Sequence, residues 1–176
     1  MIQKPLWGTI FLFCLFSLAC GSPDSGNIVN PVVFDPTTVS GLQIGVYVSY
    51  DQSQNDQYFI EFTSDLLGET FAKDALDATP LQVQYAQFPL GVALCKINSV
   101  GMEPNLCFAN QDGYYWSFYY KQFGSDTWVF SPLGLGLYAL QDGDLVGFLW
   151  DRNNPLTNLP MRQLPDISIQ DFVMGI

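Results

Sequence analysis

Apolar and polar residues alternate along several short stretches of this chain, and this alternation predicts β-strands. The pattern is clearest at residues 42–50 (LQIGVYVSY) and 57–62 (QYFIEF). The polar stretch DQSQND separates the two, so they are predicted to form a hairpin. Further strands are predicted around Val83 and at residues 92–97, 114–120, 127–130 and 145–150.

One stretch has helical rather than strand periodicity. In TSDLLGETFAKDALDAT, residues 63–79, the apolar residues Leu67, Phe71 and Ala75 recur every fourth position. Thr63 or Ser64 can cap the amino end of this helix. A hairpin, one helix and several later strands predict an α+β fold, in which the helix packs on a mixed sheet. Residues 153–176 form a tail that either adds an edge strand or docks on the core.

The amino terminus has the composition of a targeting segment. Lys4 precedes an almost unbroken apolar run at residues 5–18, which is short for a membrane-spanning helix and typical of a signal peptide. The run ends in SLAC, and this ending resembles a bacterial lipoprotein signal. In that family the peptidase cuts before the cysteine, whose thiol carries a diacylglycerol. An ordinary secretory signal or an uncleaved anchor is the alternative.

The amino-terminal signal and the patterns that follow it together predict a location and a domain organisation. We expect a signal peptide at residues 1–19, lipidation of Cys20, a flexible tether at 20–40, a folded domain at 41–152 and the tail at 153–176. The bilayer is then a partner through the acylated Cys20, and the protein lies in the extracytoplasmic cell envelope. By the sorting rule of enteric bacteria, Gly21 after the cysteine implies the outer membrane.

Two further cysteines favour a disulfide. With Cys20 acylated, Cys95 and Cys107 remain in an oxidising compartment and should pair with each other. Metal binding by this pair is the rival interpretation. It needs more ligands than two thiols, and the chain contains no histidine, so we predict no metal site.

The charge of the chain excludes one class of partner. Its net charge is −11, with only six lysines and arginines. Nucleic-acid binding needs a basic surface to neutralise phosphates, which this composition does not allow.

The order of motifs after Cys95 resembles that of the transcobalamin-like C-terminal domain family. The segments CKINSVG, YYWSFYY, WVFSPLG, YALQDGD and VGFLW follow one another in that order. Tyr115-Trp116, Trp128 and the Tyr138 motif occupy the family's hallmark places. The resemblance implies a β-grasp-like mixed sheet with one packed helix over about residues 41–152. Corrinoid binding belongs to the family's vertebrate branch, where a helical domain completes the site. We therefore expect no cofactor here, with cobalamin as the alternative.

The aromatic stretch YYWSFYY is the candidate binding element. In a strand its side chains point alternately to opposite faces. The set Tyr114, Trp116, Phe118 and Tyr120 is predicted to be core, and the other face, containing Ser117, is predicted to be wetter. The candidate binding surface is Tyr115, Tyr119 and Trp128. In the alternative interpretation, helix and tail cover both faces.

Catalytic chemistry has few candidates in this sequence. There is no histidine base, no thiol remains free if the disulfide forms, and Asp142 and Asp144 are interpreted as turn residues. We therefore predict a non-catalytic module that binds an unidentified small molecule or envelope protein. The alternative is a structural accessory subunit of a membrane complex.

Overall fold

The computed structural model describes residues 41–63, 68–89, 91–109 and 112–174. The predicted signal peptide, Cys20 and the tether lie outside these residues. All described residues belong to one compact unit, Pro31–Ile176. Two hydrophobic clusters lie wholly within the described part of this unit, so the unit carries its own core.

The described part of the chain is mostly β-structure. Its strands are β1 (Gly41–Ser49), β2 (Asn55–Thr63), β3 (Val83–Phe88), β4 (Gly91–Ile97), β5 (Val100–Gly101), β6 (Tyr114–Lys121), β7 (Val129–Phe130) and β8 (Leu145–Arg152). Its helices are α1 (Ala72–Asp77), α2 (Ile169–Val173) and a 3-10 turn at Pro104–Leu106. The hairpin and the main strands were predicted from the alternation, whereas β5, the 3-10 turn and α2 were not.

The strands form two sheets. The larger has the order β2-β1-β8-β6-β7, and the smaller has the order β3-β4-β5. In the larger sheet β1 and β8 are parallel, with Gly45 opposite Leu145, and every other pair is antiparallel. The predicted α+β class with a mixed sheet is therefore confirmed.

One face of the large sheet, here called the front, packs against α1, the small sheet and residues 131–140. These covering segments are called the front cover. The buried hydrophobic residues of this cluster are Ile44, Val46, Val48, Ala72, Ala75, Leu76, Leu94, Ile97, Phe118, Leu135, Leu140, Val146 and Phe148. The members from β1, β6 and β8 alternate with residues that point to the other face, as strand geometry requires.

The opposite face, the back, is covered by residues 153–174, here called the back cover. Leu164, Ile169 and Phe172 of this segment pack on Tyr47, Leu145 and Leu149 of the sheet. The sequence left open whether the tail adds a strand or docks on the core. It docks, and its last turn is the helix α2. The Asp171 carboxylate accepts a hydrogen bond from the Ser168 backbone N–H at 2.6 Å and thereby fixes the start of that helix.

The predicted helix at residues 63–79 is wrong in extent. Residues 64–67, including Leu67, lie outside the described residues, and the observed helix α1 begins only at Ala72. The backbone just before it is extended, because Phe71 forms a β-bridge with Ala139. That pairing with the front cover overrides the local helical periodicity.

The predicted disulfide is present. Cys95 in β4 and Cys107 after the 3-10 turn are joined, with their Cα atoms 4.9 Å apart. Closing a loop of this length stabilises the fold by about 3 kcal/mol in the chain-entropy model. None of the described helices is long and apolar enough to span a membrane.

Candidate binding groove

The aromatic strand β6 points its two sets of side chains to opposite faces, but the prediction that the face containing Ser117 is wetter is wrong, because Ser117 is only 6% exposed. Trp116, Phe118 and Tyr120 pack on the front cluster, while Tyr114, at the start of the strand, is 38% exposed. The ring of Trp116 lies between the two sheets. It contacts the rings of Tyr50 and Trp150 at centroid distances of 5.7 and 5.5 Å. This set is structural.

The three residues of the candidate binding surface do not lie together. Tyr119 and Trp128 are partly buried against the back cluster and together line a second opening, of about 510 Å³, beside the back cover. The Trp128 indole N–H donates to the carbonyl oxygen of Pro165 at 2.7 Å, which ties it to that segment. Burial raises the pKa of the Tyr119 hydroxyl. Tyr115 is separate from this pair and lies beside Phe108, with 6.1 Å between ring centroids.

Tyr115 borders a groove that the sequence did not reveal. This opening, here called the front groove, has a volume of about 810 Å³, which is within the usual range of ligand pockets. It lies between β4, the start of β6 and residues 130–135. The side chains that give it its character are Phe88, Phe108, Tyr115, Trp116, Phe130 and Leu133.

The front groove follows the edges of two strands. Four consecutive residues of β6, from Tyr115 to Phe118, and four of β4, from Gly91 to Leu94, line it. Because consecutive side chains of a strand point to opposite faces, an opening that touches four in a row must run along the strand edge. Backbone as well as side chains therefore forms its floor.

One wall of the front groove is a row of aromatic rings. The rings of Phe88 and Phe108 have centroids 4.8 Å apart, and Phe108 is in turn next to Tyr115. Phe108 is 57% exposed, so much of its ring faces solvent. It directly follows Cys107, and the disulfide to β4 therefore holds this ring at the edge of the groove.

The front groove is electrically neutral, although the protein is strongly acidic. None of the residues that line it is charged. The basic side chains within the described ranges are engaged elsewhere. Lys73, Lys96, Lys121 and Arg162 form ion pairs with Asp77, Glu103, Asp166 and Asp151, and the Arg152 Nε–H donates to the carbonyl of Asp112. No described cation is therefore left to select an anionic ligand at this groove.

The groove also contains an unsatisfied polar atom. Asn153 lines it, and the Asn153 Oδ1 is the one buried side-chain oxygen or nitrogen in the described residues without a hydrogen-bond partner. Buried acceptors in folded proteins are almost always paired. The oxygen is shielded from solvent, so it lies behind the wall of the groove rather than on its open surface.

The two aspartates of the YALQDGD turn are structural. Asp144 is 1% exposed and accepts hydrogen bonds from the Tyr138 hydroxyl and the Gln141 backbone at 3.1 and 3.0 Å. Burial raises the pKa of its carboxyl group, although these donors act in the opposite direction. Asp142 accepts the backbone N–H of Gln43 at 2.8 Å, which attaches the turn to β1.

Metal binding has no support in the described part of the chain. It contains no cluster of three or more histidine, cysteine or carboxylate side chains. The Asp51 carboxylate after β1 accepts the backbone N–H groups of Ser53 and Gln54 at 2.6 and 2.8 Å. These bonds shape the hairpin turn.

No protein-family model matches this sequence, and no curated protein matches it at a significant level. The resemblance to the transcobalamin-like family therefore stays a prediction.

Proposed function

We propose that this protein is a non-catalytic binding module whose site is the front groove. The observation that carries the proposal is a neutral groove of about 810 Å³, lined by aromatic rings, on a chain of net charge −11. Exposed apolar surface that is concentrated in a concave site is typical of ligand-binding regions. The half-exposed ring of Phe108 is the side chain most available to a ligand.

The strand order supports the β-grasp-like fold expected from the family resemblance. In a β-grasp sheet the first and last strands lie side by side and parallel at the centre. The arrangement β2-β1-β8-β6-β7, with β1 parallel to β8, is consistent with this description. Membership of the transcobalamin-like family is part of the proposal on the same basis.

Lipid attachment at Cys20 is a second part of the proposal, and it would hold the module at a membrane surface of the cell envelope. The support is the SLAC ending of the amino-terminal apolar run. A Cys20→Ser change is expected to leave the precursor unprocessed and to abolish metabolic labelling with palmitate. Undiminished labelling of that variant would contradict lipidation at Cys20.

The groove itself is tested with Nile red, a neutral apolar dye, and a recombinant form spanning Pro31–Ile176. Dye fluorescence is expected to rise on binding. Phe108→Ser should weaken dye binding about tenfold, because it removes most of the exposed aromatic wall. Since Phe108 is largely exposed, its removal should change the free energy of unfolding by no more than about 0.5 kcal/mol.

A matched control is available on the same chain. Phe123 is 51% exposed and does not line the front groove. Phe123→Ser should leave dye binding unchanged. Equal losses in the two variants, or no loss in Phe108→Ser, would exclude the front groove as the binding site.

A further inference from the structure

We propose that the occupant of the front groove is an extended polypeptide segment, which pairs with the outer edge of β6 as an added strand. This inference rests on the proposed function, because it identifies the class of ligand for the same groove. Strand addition to an exposed sheet edge is a general mode of peptide recognition, in which main-chain hydrogen bonds supply affinity.

β7 covers only part of the outer edge of β6. β7 pairs with β6 only at Tyr119 and Tyr120. The last hydrogen bond on this edge runs from the Ser131 N–H to the Phe118 carbonyl, at 2.9 Å. Towards the start of β6, none of the described strands continues the pairing on this side.

Strand alternation then identifies the backbone groups that face the groove. The Phe118 carbonyl points away from β8, so the N–H and C=O of Trp116, two residues earlier, point the same way. Trp116 is one of the residues that line the front groove. Its backbone donor and acceptor are therefore in position to pair with an incoming strand.

The opposite side of the groove is also a strand edge. β5 pairs with β4 only at Lys96 and Ile97, and the adjacent Met102 N–H donates to the Cys95 carbonyl at 2.8 Å. The earlier part of β4, from Gly91 to Leu94, lines the groove without a strand partner on this side among the described residues. An extended segment would thus lie between two incomplete sheets.

The chemistry of the walls specifies the segment. Aromatic rings and Leu133 offer apolar surface for alternate side chains of a bound strand, and no charged residue lines the groove. Because the chain has a net charge of −11, the surrounding field favours lysine or arginine on either side of the bound core and disfavours acidic peptides.

The test pans phage-displayed random nine-residue linear peptides against the Pro31–Ile176 form. Enriched peptides are expected to alternate apolar residues at their centre, to lack central proline and to lack aspartate and glutamate. A selected peptide should bind Phe108→Ser about tenfold more weakly than the unchanged protein. It should bind Phe123→Ser equally well.

Backbone pairing is tested by methylating successive amide nitrogens of a selected peptide. An added strand directs every second amide towards β6, so the loss of affinity should alternate along the peptide. Each inward-facing methylation should weaken binding by roughly two- to tenfold, and more where it also clashes with β6. A loss of affinity that does not alternate would contradict strand addition.

Two backbone amides of the protein, one expected to respond and one not, report on strand addition. Amide exchange at Trp116, measured by NMR, should slow by about tenfold or more on peptide binding. Exchange at Ser117 should not change, because that residue faces β8, where it pairs with Leu149. Unchanged exchange at Trp116 in a peptide-saturated sample would overturn the proposal.

The remaining outcomes distinguish a failure of strand addition from a failure of the proposed binding function. If Nile red binds in a Phe108-dependent way and no peptide is enriched, the groove takes a small apolar ligand and strand addition is wrong. If neither probe binds, the proposed function fails as well. If the protein dimerises and protects Trp116 without peptide, a second copy is the occupant and the proposal is overturned.

Discussion

Two different segments of chain cover the two faces of the five-stranded sheet. Within the described residues, the front cluster contains thirteen buried hydrophobic residues and the back cluster contains six. The front cover consists of strands and a helix joined to one another and cross-linked by the Cys95–Cys107 disulfide. The back cover is a single segment, residues 153–174, that attaches mainly through Leu164, Ile169 and Phe172.

The polar attachments of the two covers also differ. At the front, the buried Asp144 carboxylate joins the Tyr138 hydroxyl to the start of β8. At the back, the buried Lys121 Nζ donates to Asp166 and to the Ile167 carbonyl, both at 2.9 Å, but the Asp166 side chain is exposed. Ion pairs that reach solvent contribute little, usually 0–1 kcal/mol. The back cover is also held by Arg162, which pairs with the buried Asp151 and donates to the Trp150 carbonyl. The smaller hydrophobic cluster, rather than weaker polar contacts, therefore leads us to expect that the back cover opens before the front cover.

The largest expected effect comes from truncating the front cluster. Phe148 of β8 is fully buried and stacks on Phe118, with 5.7 Å between ring centroids. Phe148→Ala should lower the free energy of unfolding by about 3–5 kcal/mol, because it leaves a cavity at the centre of the sheet. Urea denaturation of the Pro31–Ile176 form measures this loss.

The matched control is the phenylalanine of the back cover. Phe172 of α2 packs on Gly45 and the back cluster. Phe172→Ala should cost about half as much, because the segment can detach while the strand pairing survives. Amides of α2 should then exchange faster, whereas those of β1 and β8 should not. Equal losses of stability in the two variants would show that both covers are integral.

A smaller effect, specific to the front cover, is expected from pH. The pKa of Asp144 is raised by burial above the 3.8 of an unperturbed aspartate, so its ionisation disfavours the folded state. The stability it contributes is complete below pH 3.8 and is lost as pH rises through its raised folded-state pKa. Asp144→Asn cannot ionise and should lack this loss.

This expectation is tested by urea denaturation of both proteins at a series of pH values. The series runs from pH 3.5 to neutral, a range of about four pH units. The stability difference between the unchanged protein and Asp144→Asn should move in favour of the variant as pH rises. Parallel curves for the two proteins would mean that Asp144 titrates alike in the folded and unfolded states.

The groove arises where the two covers leave the sheet edge unpaired. The front cover reaches β6 through β5, where the Trp116 indole N–H donates to the Val100 carbonyl at 3.4 Å, and through residues 131–135. β7 stops pairing after Tyr119. Between these limits the edge of β6 near Trp116 stays open. The candidate site is therefore defined by where strands end, rather than by any single motif.

The sequence alone determined the features that depend on local spacing. Alternation identified the hairpin, the main strands and the burial of Phe118, because burial on one side of a strand has a period of two. The cysteine count and the expected compartment identified the Cys95–Cys107 pair. The same reasoning placed Tyr115 and Tyr119 on one side of β6, but in the structure Tyr115 borders the front groove and Tyr119 packs on the back cluster.

The tertiary structure decided what depends on contacts between distant residues. The bridge between Phe71 and Ala139 shortened the helix, and residues 153–174 packed against Tyr119 and Trp128. Phe108, outside any strand, came to lie beside Tyr115 because the disulfide carries it there. Local periodicity reports which side of a strand is buried, but it contains no information about which segment does the burying or where an edge stays unpaired.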